Sequence, residues 1–165
     1  MIKIKHLLLL ACFTVCFTAC KKNEIEVEPY DFIAQLKKDT AIINAFVKNN
    51  NITGGTLDPE SGIYYKIIKP GSGTVNYGPS TSITAKYVGR LLDGTVFDDG
   101  DGASIQFTLG RTIPGWQWGI QKIQKGGEIR LIVPSGYAYQ NVGSGPLIKA
   151  NSVLDFDITL VDVVE

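Results

Sequence analysis

Histidine and cysteine are nearly absent from this chain: the single histidine is His6 and the three cysteines are Cys12, Cys16 and Cys20. If the leader that holds them is removed, no imidazole remains. Ser-His-Asp and Cys-His catalysis, imidazole acid–base chemistry and His or Cys metal sites are then excluded, and neither a metal nor a cofactor is expected. Charge of either sign is not in excess, with 16 basic and 16 acidic side chains spread along the sequence. No basic field exists to condense on phosphates, so nucleic acid is not an expected partner. Long hydrophobic runs are also missing. The stretch Leu7 to Thr18 is roughly a dozen residues, short of the about 20 that a membrane span needs. What is present is a chain of 165 residues, 44% hydrophobic and 10% aromatic, enough for one globular core without disulfide staples. Disorder, collagen and coiled coil do not fit that composition.

The first twenty residues read as a targeting segment. Lys3 and Lys5 form a basic region, the apolar run follows, and the small residue Ala19 precedes Cys20, the order of a secretory signal. Phe17-Thr18-Ala19-Cys20 resembles the lipobox of bacterial lipoproteins, with Phe17 where Leu is usual. The resemblance implies a signal peptide over 1–19, acylation of Cys20, and a membrane anchor in a bacterial cell envelope. Cleavage by an ordinary signal peptidase is the alternative. Lys21 is not the Asp associated with inner-membrane retention, which points to the outer membrane with its side left open. Residues 20–30 are polar and charged and read as a tether.

From Asp31 to Asn49 apolar residues Phe32, Ile33, Leu36, Ile42, Ile43, Phe46 and Val47 recur at helical spacing. Asp39 or Thr40 could cap a second segment, so one broken helix or two short ones are expected within a helical extension over 31–55, which packs on the domain or pairs with a second copy. After Ser61 the period becomes two. Ile83, Ala85, Tyr87, Gly89 and Leu91 alternate with polar neighbours, as do Ile129, Leu131 and Val133, and Leu154, Phe156, Ile158 and Leu160. These predict antiparallel strands with one buried face, and Asp93-Gly94 predicts a hairpin turn. A single helix of about ten residues is expected from Pro114, with Trp116, Ile120 and Ile123 on its apolar stripe and Lys122 and Lys125 in its last turn. The predicted fold class is α+β, a curved antiparallel β-sheet wrapped around one short α-helix.

Tyr87-Val88-Gly89, Asp93 to Asp98, Phe107-Thr108-Leu109-Gly110, Ile113-Pro114-Gly115-Trp116, Tyr137-Ala138-Tyr139 and Leu154 to Asp157 follow in this order. The set is similar to the FKBP-type peptidyl-prolyl cis-trans isomerases, and the likeness spans 61–165. The resemblance implies a pocket between helix and sheet, with Trp116 as floor and Tyr87, Phe97, Phe107, Ile105, Thr112, Ile113, Ile148 and Phe156 around it. It implies catalytic roles for Asp98, Tyr139, Tyr87 and the Ile113 N–H. Its expected partners are proline-containing polypeptide clients and, at the same floor, macrolides of the FK506 and rapamycin type. Rotation about an Xaa-Pro bond breaks no covalent bond, so the absence of histidine is no obstacle.

Several positions depart from the family pattern. Ile105 stands where an aromatic is usual, Thr112 where Val is usual, Gln140 replaces a Gly, and Lys149-Ala150 replaces Pro-Pro. These leave open a non-catalytic client-binding or chaperone module on the same fold. Trp118, on the opposite helix face from Trp116, is either an exposed client contact or partly buried. Asp98 to Gly102 lacks the later ligand of a calcium loop. Asp155 and Asp157 share the outer face of a strand and are expected to be solvated rather than catalytic.

Overall fold

Period-two patterning builds the sheet. In a computed structural model, which describes residues 29–164, seven strands pair antiparallel throughout. They are β1 (Thr56–Leu57), β2 (Tyr64–Lys69), β3 (Ser82–Leu91), β4 (Val96–Asp98), β5 (Ile105–Thr108), β6 (Glu128–Val133) and β7 (Leu154–Val164). Their spatial order is β1-β2-β6-β7-β3-β4, with β5 also on β3. The leader, Cys20 and most of the tether lie outside the described residues. Among the described residues no helix is long and apolar enough to cross a membrane.

Register follows the burial of alternate side chains. Ile83 and Ala85 of β3 point inward and pair with Phe107 and Ile105 of β5. On the other side, Gly89 of β3 and Leu131 of β6 both lie opposite Phe156 of β7. The Asp93-Gly94 turn forms as expected: the Leu91 N–H donates to the Thr95 carbonyl, and the Thr95 N–H donates to the Asp93 carboxylate. β1 pairs with β2, so the sheet begins at Thr56, ahead of the Ser61 boundary read from the sequence.

Helix α2 (Pro114–Ile120) lies in the concave face. Proline at its first position needs no hydrogen-bond acceptor, which suits the start of a helix. Glycine on the face toward β6 allows the close approach, because a Cβ at Gly119 would stand 2.3 Å from Leu131 Cδ1. The helix is shorter than the sequence predicts, and Lys122 and Lys125 lie beyond it. The cause is a tightening into three-residue turns, in which Lys122 and Ile123 donate to the Gly119 and Ile120 carbonyls, before Gln124 donates to Pro70. Ile123 remains buried although it is no longer helical.

The amino-terminal segment is one helix, α1 (Phe32–Asn49), rather than a broken one. Asp31 caps it by accepting the Ala34 N–H at 2.9 Å, and a left-handed Asn51 follows its end. Asp39 caps nothing; it is a fully buried residue in mid-helix. Ile43 packs with Tyr64, Ile132 and Val153 into a second apolar cluster. The sheet is therefore covered on part of its outer face as well, which is why Ile132, polar-facing by simple alternation, is fully buried.

Asp155 is likewise not solvated. It is 4% exposed and takes a two-pronged contact from Arg130, Nε at 2.9 Å and Nη2 at 2.7 Å, while Arg90 holds Asp157 at 2.6 Å. Two arginines on neighbouring strands thus neutralise the outer face of β7.

Candidate active site

β3, β5, α2 and β7 each bring one aromatic side chain to a common point. Trp116, 4% exposed, forms the floor. Three rings meet it edge to face: Tyr87 at 5.1 Å between centroids, Phe107 at 5.5 Å and Phe156 at 5.6 Å. Phe97 stands edge-on to Phe156 at 5.6 Å. Such T-shaped pairs place a positive ring edge against a negative ring face, so the floor is fixed in orientation as well as in volume. Above it opens a cavity of about 260 Å³ lined by Tyr87, Phe97, Asp98, Phe107, Arg111, Thr112, Ile113, Trp116, Tyr139 and Phe156. That is under the roughly 300–1,000 Å³ of drug-sized pockets and suits one ring-bearing residue.

Polar groups gather at the mouth. The Tyr87 hydroxyl donates to Asp98 Oδ2 at 2.7 Å, and the Gly100 N–H donates to Asp98 Oδ1 at 3.1 Å. The carboxylate is thereby held by both oxygens while its residue stays exposed. Ile113 is extended (φ −59°, ψ 147°) just before α2, and its carbonyl receives the Trp116 and Gln117 amides. Its own N–H donates no hydrogen bond among the described residues. Tyr139 overhangs from the other side, 36% exposed.

Burial first, and then the hydrogen bond to Asp98, push the Tyr87 phenol well above its ordinary range; burial and the Asp98 charge push Tyr139 up too. Both therefore keep their protons to higher pH than a free tyrosine does. Between about pH 7 and 9 any rate the folded pocket supports should be flat. Stability has the opposite fate. Above about pH 10 the unfolded chain releases tyrosine protons that the folded chain keeps, so unfolding free energy declines as pH rises. A pH–rate profile beside urea unfolding curves checks both, and a rate that halves near pH 9 would contradict the assignment.

Two residues expected on the wall are not on it. Ile105 lies against the 100–102 turn, where a Cβ on Gly100 would stand 2.8 Å from its Cδ1, and does not line the cavity. Ile148 is 7% exposed within the main core, held by a bridge to Ser144. Arg111, which sequence reasoning missed, is exposed and lines the mouth with Asp98, giving the rim one charge of each sign. Its place two residues before Ile113, in the loop entering α2, was the available signal. Gln140 takes the left-handed conformation (φ 52°) that the family's glycine would adopt freely. The cost to a residue with a Cβ is about 1 kcal/mol. Trp118 is partly buried, edge-on to Tyr65 at 5.4 Å with Lys122 Nζ 3.8 Å from its ring centre. The carboxylates of Asp98 and Asp99 accept hydrogen bonds from their own turn.

Residues 73–161 match the sequence profile of the FKBP-type peptidyl-prolyl cis-trans isomerases. A probable FKBP-type peptidyl-prolyl cis-trans isomerase FkpA of Neisseria meningitidis serogroup B is 38% identical over 139 residues, 83% of this chain and 50% of that protein. The outer membrane protein MIP of Legionella longbeachae is 34% identical over 135 residues, 81% of this chain and 58% of that one. This chain thus spans about half the length of those curated relatives. A crystal structure of a peptidyl-prolyl cis-trans isomerase from Pseudomonas syringae pv. tomato superposes with a TM-score of 0.65 at 30% identity, covering 82% of this chain and 97% of that one.

Proposed function

This chain belongs to the FKBP-type peptidyl-prolyl cis-trans isomerase family, and from that premise we propose that it isomerises Xaa-Pro bonds of exported polypeptides in the pocket above Trp116. The observation that carries the proposal is the aromatic floor of an open pocket with a polar mouth of Asp98, Tyr87, Tyr139 and an Ile113 N–H that donates no hydrogen bond among the described residues.

Amide resonance opposes the rotation with a barrier of about 18–20 kcal/mol. At the twisted transition state the nitrogen loses conjugation and the amide becomes less dipolar. A dry aromatic cavity therefore disfavours the planar form more than the twisted one. The proline ring enters above Trp116, against Tyr87, Phe97, Phe107 and Phe156. The Ile113 N–H takes a substrate carbonyl, and the Tyr139 hydroxyl donates from the opposite rim. Asp98 fixes the Tyr87 ring and places a negative charge at the mouth. Together these need to supply about 4 kcal/mol for a thousandfold acceleration, without proton transfer or bond cleavage. Macrolides of the FK506 and rapamycin type would seat on the same floor, with weaker grip because Thr112, Gln140 and Lys149-Ala150 change the rim.

The wider organisation belongs to the same proposal: a signal over 1–19, a lipid at Cys20, a tether, α1 as an extension, and the isomerase domain that follows. The outer-membrane name of the Legionella relative supports an envelope location. A second reading, a client-holding module with little turnover, is favoured by Val142, 83% exposed, and Leu147, 41% exposed, in the loop that follows Tyr139.

Two variants test the site. Asp98→Ala should lower kcat/KM on a short Xaa-Pro peptide by about thirtyfold, about 2 kcal/mol, and Tyr87→Phe by about fivefold, since it loses one hydroxyl and keeps the ring. Both are at the mouth, so thermal midpoints should move by only a few degrees. Unchanged kcat/KM in Asp98→Ala would remove the pocket from the mechanism.

A further inference from the structure

A carboxylate with no solvent contact is tolerated only where hydrogen bonds saturate it, and an apolar side chain at the same place would pack at less cost. Asp39 is such a group: it is 0% exposed in the middle of α1. Its Oδ1 accepts from Gln35 Nε2 at 2.7 Å, one turn back on the same helix. Its Oδ2 accepts twice from Ser135, the backbone N–H at 2.8 Å and the hydroxyl at 2.6 Å. Ser135, also 0% exposed, opens the short 3-10 turn Ser135–Tyr137 that follows β6.

The bonds continue from there to the pocket. The Ser135 carbonyl accepts the Ala138 N–H and the Gln140 N–H, both at 2.9 Å. Those are the two residues that flank Tyr139. One serine peptide thus hangs from Asp39 by its amide and holds both neighbours of Tyr139 by its carbonyl. A second contact braces the same turn. The Phe32 ring of α1 stands edge-on to Tyr137 at 5.6 Å, and only glycine at 136 leaves room for it, since a Cβ there would lie 2.6 Å from Phe32 Cε2.

We propose that Asp39 is a positioning residue for the pocket: through Ser135 it fixes the turn that presents the Tyr139 hydroxyl at the mouth, which makes α1 a working part of the site. The inference rests on the isomerase reading for its kinetic consequence, and on hydrogen bonds alone for its structural one. Catalytic groups must be held within fractions of an ångström, and slack introduced remotely is felt in rate. Asparagine at 39 keeps the shape but offers Ser135 a neutral amide oxygen in place of a carboxylate, which weakens both of its bonds, and keeps Gln35 only if that side chain turns its amide over, so it loosens the turn.

The test is a double-mutant cycle on the full chain. Asp39→Asn should lower kcat/KM on a Xaa-Pro peptide roughly tenfold, mostly in kcat. In a Tyr139→Phe background the same change should cost less than about twofold, because the group it positions has gone. A merely structural role would give equal losses in both backgrounds, and that result, or no loss at all, overturns the proposal. Amide exchange gives a second readout independent of catalysis: Ala138 and Gln140 should exchange at least about tenfold faster in Asp39→Asn, with the β6 and β7 amides unchanged. If the unmutated chain shows no isomerase activity, the functional reading fails and this exchange alone decides the positioning claim; unchanged protection overturns it. Should Asp39→Asn not fold, Ser135→Ala, which removes the hydroxyl bond and keeps the amide bond, takes its place in both measurements.

Discussion

Trp116→Ala should lower kcat/KM for a Xaa-Pro peptide by at least about a hundredfold and reduce unfolding free energy by about 3–5 kcal/mol. The two losses share one cause. Tyr87, Phe107 and Phe156 all form T-shaped pairs with this one ring, at 5.1 to 5.6 Å. Without it the three lose their common partner and the floor of the cavity opens. Alanine cannot refill the space, and the neighbouring strands are pinned by their ladders, so the site collapses only in part. Trp116→Leu separates the effects by restoring apolar volume without the aromatic face. It should regain more than half of the lost stability and little of the lost rate. Urea unfolding gives the first quantity, and peptide assays well below the transition give the second. A Trp116→Ala chain that unfolds early but isomerises normally while folded would place catalysis elsewhere.

Asp155→Ala should cost about 2–3 kcal/mol while leaving the rate of the folded chain unchanged. Removing one member of a buried ion pair strands the other. Arg130 would keep its place between β2 and β7 with a carboxylate lost from 2.7 Å. The loss stays under the about 3–5 kcal/mol of fully buried pairs because the Arg130 side chain is 27% exposed and Asp157 is near enough to act on it. Replacing both partners, Arg130→Met with Asp155→Leu, should recover most of the stability, since apolar packing avoids the desolvation that the pair incurs. The rate is insulated because side chains alternate along β7: Phe156 faces the pocket and Asp155 the outer surface. Urea midpoints of the single and double variants read the effect.

The alternation in β3, β6 and β7 was legible because one face of each is buried by α2, and period two reports one buried face faithfully. It misled at Ile132 and Asp155, where a second layer, α1, covers the other face. Nothing in a strand's own pattern announces that layer. Pro114 and Trp116 marked the start of α2 correctly. Its end was misplaced because Ile123 stays buried after the helix has tightened into turns, and periodicity cannot distinguish the two. Trp116, Tyr87, Phe97, Phe107 and Phe156 were legible as a set through family likeness, each alone being an ordinary core aromatic. Ile105 and Ile148 do not line the cavity, and being apolar and near a pocket in sequence does not fix which way a side chain is packed. Asp39 was invisible for a plainer reason. In a helical stripe an Asp reads as a cap, and its partner Ser135 lies 96 residues further on.

The central claim is rotation of Xaa-Pro bonds in the Trp116 pocket, and the most direct measurement is the isomerisation rate produced by this chain on a short Xaa-Pro peptide and on a protein whose refolding is proline-limited. The account predicts acceleration of both, each suppressed in Asp98→Ala. Acceleration of neither, by a chain that unfolds cooperatively and is therefore folded, would contradict it.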